Sequence, residues 1–206
     1  ILLIGWWGLA LAALQGTATW TFHAALKNAS VANVLVFLAS VPLITALMSK
    51  VFLQDEIQKP TWIAIGVVGF GLLIVGGPGL TGGNWLGDLI ALLNAVVIAG
   101  FFTIVRGRST VNFIPASGLG CLFAAFVAAP FTIVPEMSSS QWLFLMLTAG
   151  LILPVGLGLL TLGARYIPAP EAAMLLLLET VLGPLWVWLV ISEQPDVTTI
   201  LGGAIV

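Results

Sequence analysis

Residues 168–191 read PAPEAAMLLLLETVLGPLWVWLVI. A membrane-crossing helix takes about 20 mostly apolar residues, and this run supplies them. Glu179 stands in its middle, between Leu175–Leu178 and Val181–Pro184. On the insertion scale a charge at the centre of a helix costs about 2.5–3.5 kcal/mol. A carboxylate kept there points to a pathway or binding residue of a multi-pass membrane protein.

The rest of the chain is of the same kind. Hydrophobic residues make up 60% of the 206 and charged residues 7%, against roughly 25% charged in soluble domains. Mean hydropathy is +1.18. No soluble fold of this size hides so much apolar surface, so the solvent is lipid. A net charge of −2 without a basic run gives nucleic acid nothing to bind. One cysteine and one histidine exclude a disulfide within the chain and a Cys or His metal cage. Cys121 reads as a space-filler in an apolar helix. The chain starts at Ile1 and stops inside an apolar run at Val206, which reads as a fragment of a longer protein.

Seven apolar segments fit membrane spans: Leu2–Leu26, Val31–Leu53, Trp62–Gly77, Trp85–Val105, Phe113–Val134, Trp142–Gly163 and Pro168–Ile191. An eighth begins near Thr198. The apolar runs are continuous rather than alternating, which argues against barrel strands. Short polar turns join the segments, so neighbours in sequence run antiparallel. Even-numbered loops carry Lys50, Lys59, Arg106, Arg108 and Arg165, and odd-numbered loops carry only Lys27. The positive-inside rule puts the even loops in the cytoplasm.

A weak internal repeat shows at about 137–139 residues. Ala25-Leu26-Lys27, Ala32 and Phe52–Glu56 answer to Ala164-Arg165-Tyr166, Ala172 and Val190–Glu193, with Gly66 and Gly69 against Gly202 and Gly203. An odd helix count separates the copies, so they face opposite ways across the membrane.

The blocks 25–71 and 163–203 resemble the EamA-type domains of the drug/metabolite transporter superfamily. The match rests on Tyr166, Pro168-Ala169, Leu177-Leu178-Glu179 and Ser192-Glu193. Ser192 stands where the family usually has glycine, and Asp55 or Glu56 stands for the glutamate of the first copy. The resemblance implies an all-α polytopic fold of ten helices in two inverted five-helix repeats. This chain then holds helices three to nine and the start of ten. Residues 1–80 would be the last three helices of the first repeat, and 81–206 the second repeat. It also implies a cavity lined by family helices one, three, four, six, eight and nine.

Candidate lining residues follow from polarity and period. Gln15, Thr19 and His23 recur at i, i+4 and i+8 on one helix face with Gly8 and Ala12. Such a stripe faces either a cavity or a neighbouring helix, and His23 can titrate. Asn94, with Gly87 and Ala91, suits a solute or a helix partner. Asp88 is expected to be solvated near the outer interface. Glu179 could bind a proton or an amine, hydrogen-bond when protonated, or pair with Arg165 or His23. Trp186 and Trp20 could form an aromatic wall. Pro42, Pro130, Pro154 and Pro184 each interrupt a helix.

These readings lead to a secondary transporter, an exporter of a small metabolite or drug-like solute across the plasma (inner) membrane by alternating access. Protons could couple, and the assembly would be a monomer or homodimer in the bilayer. No cofactor or metal is expected. The alternatives are a structural or sensory membrane domain and an intramembrane enzyme. The enzyme lacks residues: Ser117-Gly118 follows Pro115-Ala116, so there is no Gly-x-Ser-Gly, and the run Gly76–Gly83 has no Lys-Ser/Thr for phosphate.

Overall fold

The computed structural model describes residues 5–76, 85–131, 136–192 and 197–206. Most of the glycine-rich link Gly76–Gly83 lies outside these residues, as do Pro135, Glu193 and the turn Gln194-Pro195-Asp196. The described residues are helical almost throughout. α1 is Gly5–Asn28, α2 Val31–Ala39, α3 Val41–Met48, α4 Lys59–Gly76 and α5 Trp85–Gly107. α6 is Ile114–Ala128, α7 Ser139–Leu147, α8 Leu153–Gly163, α9 Ala169–Ile191 and α10 Val197–Ile205. The chain is an all-α polytopic membrane fold.

Prolines account for most of the breaks. A proline has no N–H to give the carbonyl four residues back. The second span pauses at Ser40, restarts with Val41-Pro42, and ends in a π-turn over Ser49–Leu53. The sixth span runs from α7 through a π-turn at Thr148–Ile152 into α8, whose second residue is Pro154. Pro130 lies in the tight 3-10 turn Ala129–Phe131 that ends α6. Pro184 is the exception: it sits inside α9, which continues to Ile191.

Among the described residues four helices are long and apolar enough to cross a bilayer: Asn33–Leu53, Trp85–Gly107, Ser139–Gly163 and Ala169–Val190. Lys59–Ile74 and Ile114–Ala128 are shorter apolar helices. α1 has 24 residues but is less apolar. Its polar stripe, Gln15 to His23, dilutes it.

In lipid the hydrophobic effect does not drive helices together, so close packing must. α1 packs on both α5 and α6. Its small residues Gly8, Ala12 and Gly16 are buried, and so are Ala116, Gly120 and Ala124 of α6. A Cβ on Gly16 would lie 2.9 Å from the Gly120 carbonyl oxygen, and one on Gly120 would lie 2.8 Å from that of Ala12. Only glycine lets these backbones approach so closely. α3 packs on α5 and α9, and α4 on α2 and α10. The sixth span stands apart: every residue from 139 to 156 is exposed, and α8 is held by α6. A helix apolar on all sides suits a lipid neighbour.

One end of the bundle gathers loops two, four and six. Arg106 donates to the Arg165 carbonyl (3.2 Å), the Arg165 Nε donates to that of Ser109 (2.6 Å), and the Thr61 hydroxyl donates to Glu171 (3.3 Å). This end carries the basic residues of the even loops. At the opposite end Asp88 is half-buried and accepts a hydrogen bond from the Asn33 amide at 2.9 Å. Asp88 keeps part of its surface exposed and is tied to Asn33 because α2 folds back beside the start of α5.

Candidate functional site

A cavity of about 550 Å³ opens among α1, α5, α6, α8 and α9. That volume lies within the roughly 300–1,000 Å³ usual for small-molecule sites. Gln15, Thr19, Trp20 and His23 of α1 all line it. α1 supplies the polar wall because its small residues are used up against α6. Gln15 packs beside Gly120 of α6, and Thr19 and His23 continue the same face of α1 beyond that contact, toward the open space.

These polar groups bond down their own helix. The Thr19 hydroxyl donates to the Gln15 carbonyl at 3.0 Å. His23 Nδ1 lies 2.7 Å from the Thr19 carbonyl oxygen. A carbonyl only accepts, so Nδ1 carries the proton, and in the neutral ring Nε2 is left as an acceptor. The edge of the imidazole meets Phe22, with ring centroids 5.7 Å apart. The opposite walls are apolar: Ile98, Phe101 and Phe102 from α5, and Leu153, Leu157 and Leu160 from the sixth span.

The remaining candidates are elsewhere. Asn94 is fully buried, and its amide donates to the Ala18 carbonyl (2.7 Å) and to the Thr21 hydroxyl (2.8 Å). It joins α5 to α1 and does not line the cavity. Its Oδ1 is buried without a partner. Glu179 and Trp186 share an exposed face of α9 with Leu175 and Leu182 and are not among the lining residues, whereas Leu176, one turn before Glu179, is. Arg165 is committed to Ser109 and lies 5.9 Å from the Tyr166 ring, so it does not reach Glu179. Glu179 is ten residues, about 15 Å, along the axis from the start of α9. Trp20 and Trp186 form no common wall.

Two features escaped the sequence reading. Cys121 lines the cavity beside Ala124, Ala125 and Ala128 of the fifth span. The resemblance placed the second span at the cavity instead. That span contributes none of the lining residues, because Val41, Pro42, Thr45 and Ala46 are buried in packing with α5 and α9. The small-residue period of α6 was the available signal, since a helix that packs so closely brings its flanking residues to the same crevice.

A model of the EamA-like transporter family matches residues 2–77 and 85–206. The chain belongs to the EamA-like transporter family. It is a multi-pass membrane protein of the drug/metabolite transporter superfamily, whose members are transporters. One solved chain, described only as a protein crystal structure, is similar in fold with a TM-score of 0.77 at 20% identity. The match covers 97% of this chain and 72% of that one. No curated protein matches this chain.

Proposed function

We propose that this EamA-like protein is a secondary transporter that exports a small metabolite or drug-like solute across the plasma membrane by alternating access. The observation that carries the reading is the cavity itself. It is a solute-sized space among membrane-spanning helices, with one polar wall in an apolar surround. Gln15, Thr19, Trp20 and His23 are read as its solute-facing residues.

The packing favours two inverted repeats, residues 1–80 and 81–206. α4 and α10, the last helices of the two copies, pack on each other, and so do α3 and α9. Pairing of like with like is what a two-fold axis in the membrane plane produces. Both second-to-last spans also end in the same left-handed cap, at Gln54 and at Ser192. We read the end with Arg106, Arg108 and Arg165 as cytoplasmic. The hydrogen bonds of Thr61, Glu171, Arg106 and Arg165 gather there. The polar wall rises away from that end, with His23 at its far rim, and we read that rim as the outer side.

The test is solute flux in proteoliposomes across a panel of metabolites and drug-like compounds. Protein-dependent flux that stops when Cys121 is alkylated is the expected result. Absence of flux for every solute would sink the transporter reading and favour a structural or sensory membrane domain.

A further inference from the structure

We infer that the solute held in this cavity is uncharged and mainly apolar, and that it donates one hydrogen bond to His23 Nε2. The inference deepens the transporter reading and rests on it. Among the described residues no Asp, Glu, Lys or Arg lines the cavity. While His23 is neutral, a charged solute would exchange water for alkyl and aromatic walls with no opposite charge to offset the loss, which is strongly unfavourable.

A cation has one other route, the open faces of an aromatic cage. Here Trp20, 46% exposed, offers one ring, which is a wall and not a cage, and the other lining rings are engaged. Phe101 and Phe102 meet edge to face (5.6 Å, 85°) and are 5% and 1% exposed. Phe22 meets the edge of His23. What remains for recognition is hydrogen bonding on the α1 wall. The Thr19 hydroxyl is used by the Gln15 carbonyl, and His23 Nδ1 by the Thr19 carbonyl. Left over are His23 Nε2, an acceptor in the neutral ring, and the Gln15 amide and Trp20 N–H, which can donate to the oxygen of an O–H solute. A ring-bearing solute with one O–H or N–H meets every term: apolar area for the leucine and phenylalanine walls, and one donor for Nε2.

Cys121, the single cysteine in the sequence, lies half-buried on the same walls and reports occupancy. The experiment follows its alkylation by a maleimide in proteoliposomes, with four solutes built on one ring system. Naphthol is neutral and donates. Methoxynaphthalene is neutral and cannot donate. Naphthoate is an anion, and naphthylmethylammonium a cation. Naphthol is expected to slow alkylation about tenfold more than methoxynaphthalene at equal concentration, the upper range for one neutral hydrogen bond. The two ions are expected to leave the rate unchanged. His23→Ala, or His23→Phe if the smaller residue disturbs folding, is expected to lower naphthol to the level of methoxynaphthalene.

Protection by either ion equal to that by naphthol overturns the inference. So does equal protection by the two neutral solutes, or no protection by any. Naphthol flux in the same vesicles separates this inference from the function it rests on. Protection without flux overturns transport and keeps the ligand class. Flux of a charged solute without naphthol protection keeps transport and overturns the ligand class.

Discussion

Gln54 (φ 56°) and Ser192 (φ 62°) close two spans with left-handed backbone. A side chain in that conformation costs roughly 1–2 kcal/mol, and glycine avoids it. This explains why the resemblance has glycine where Ser192 stands. Ser192→Gly is expected to raise stability by about 1 kcal/mol, read as a later midpoint on unfolding in detergent. Asn94→Leu removes the two bonds to α1 but also an unpartnered buried oxygen. Interhelical hydrogen bonds in membranes average about 0.6 kcal/mol, so a loss of that order is expected by the same assay, with Cys121 protection intact. Glu179→Gln should leave Cys121 alkylation and its protection unchanged, since Glu179 does not line the cavity; an altered rate would bring it into the pathway. The stripe of Gln15, Thr19 and His23 was legible because helical period alone puts them on one face. The place of Glu179 was not, because its cost in lipid says that it matters and not which way α9 is turned.

The crossing of α1 and α6 holds the polar wall in place. Gly120→Val would push a branched side chain into the Ala12 carbonyl, 2.8 Å from the new Cβ. Overpacking of this kind costs about 1–3 kcal/mol. The expected results are a lower unfolding midpoint and a changed rate of Cys121 alkylation, since Cys121 is the next residue of α6. An unchanged rate would mean that the crossing does not shape the cavity. The spans themselves were readable. The apolar runs gave Val31–Leu53 and Trp85–Val105 almost to the residue, because lipid demands internal hydrogen bonding and so uninterrupted helix. The breaks at Pro42, Pro130 and Pro154 followed from the missing N–H. Pro184 did not break its helix, and the sequence had no means of separating it from the others.

The arrangement of the spans predicts a topology that labelling can check. In right-side-out vesicles Lys27→Cys should react with an impermeant thiol reagent, and Arg108→Cys only after permeabilisation. The reverse pattern would invert the orientation. The charge alternation already pointed to this, because positive residues resist translocation wherever the helices pack. Composition, span limits and family membership were likewise settled by the amino-acid sequence alone, since each depends on local hydropathy, charge or motif. Only the tertiary structure decided which helices meet: that the fifth span and not the second lines the cavity, that Asn94 joins two helices, that Cys121 lines the cavity and Glu179 does not. The reason is physical. Lipid makes nearly every face of these helices equally apolar, so partners are chosen by the fit of small residues and single polar groups, and that choice exists only when both helices are in place.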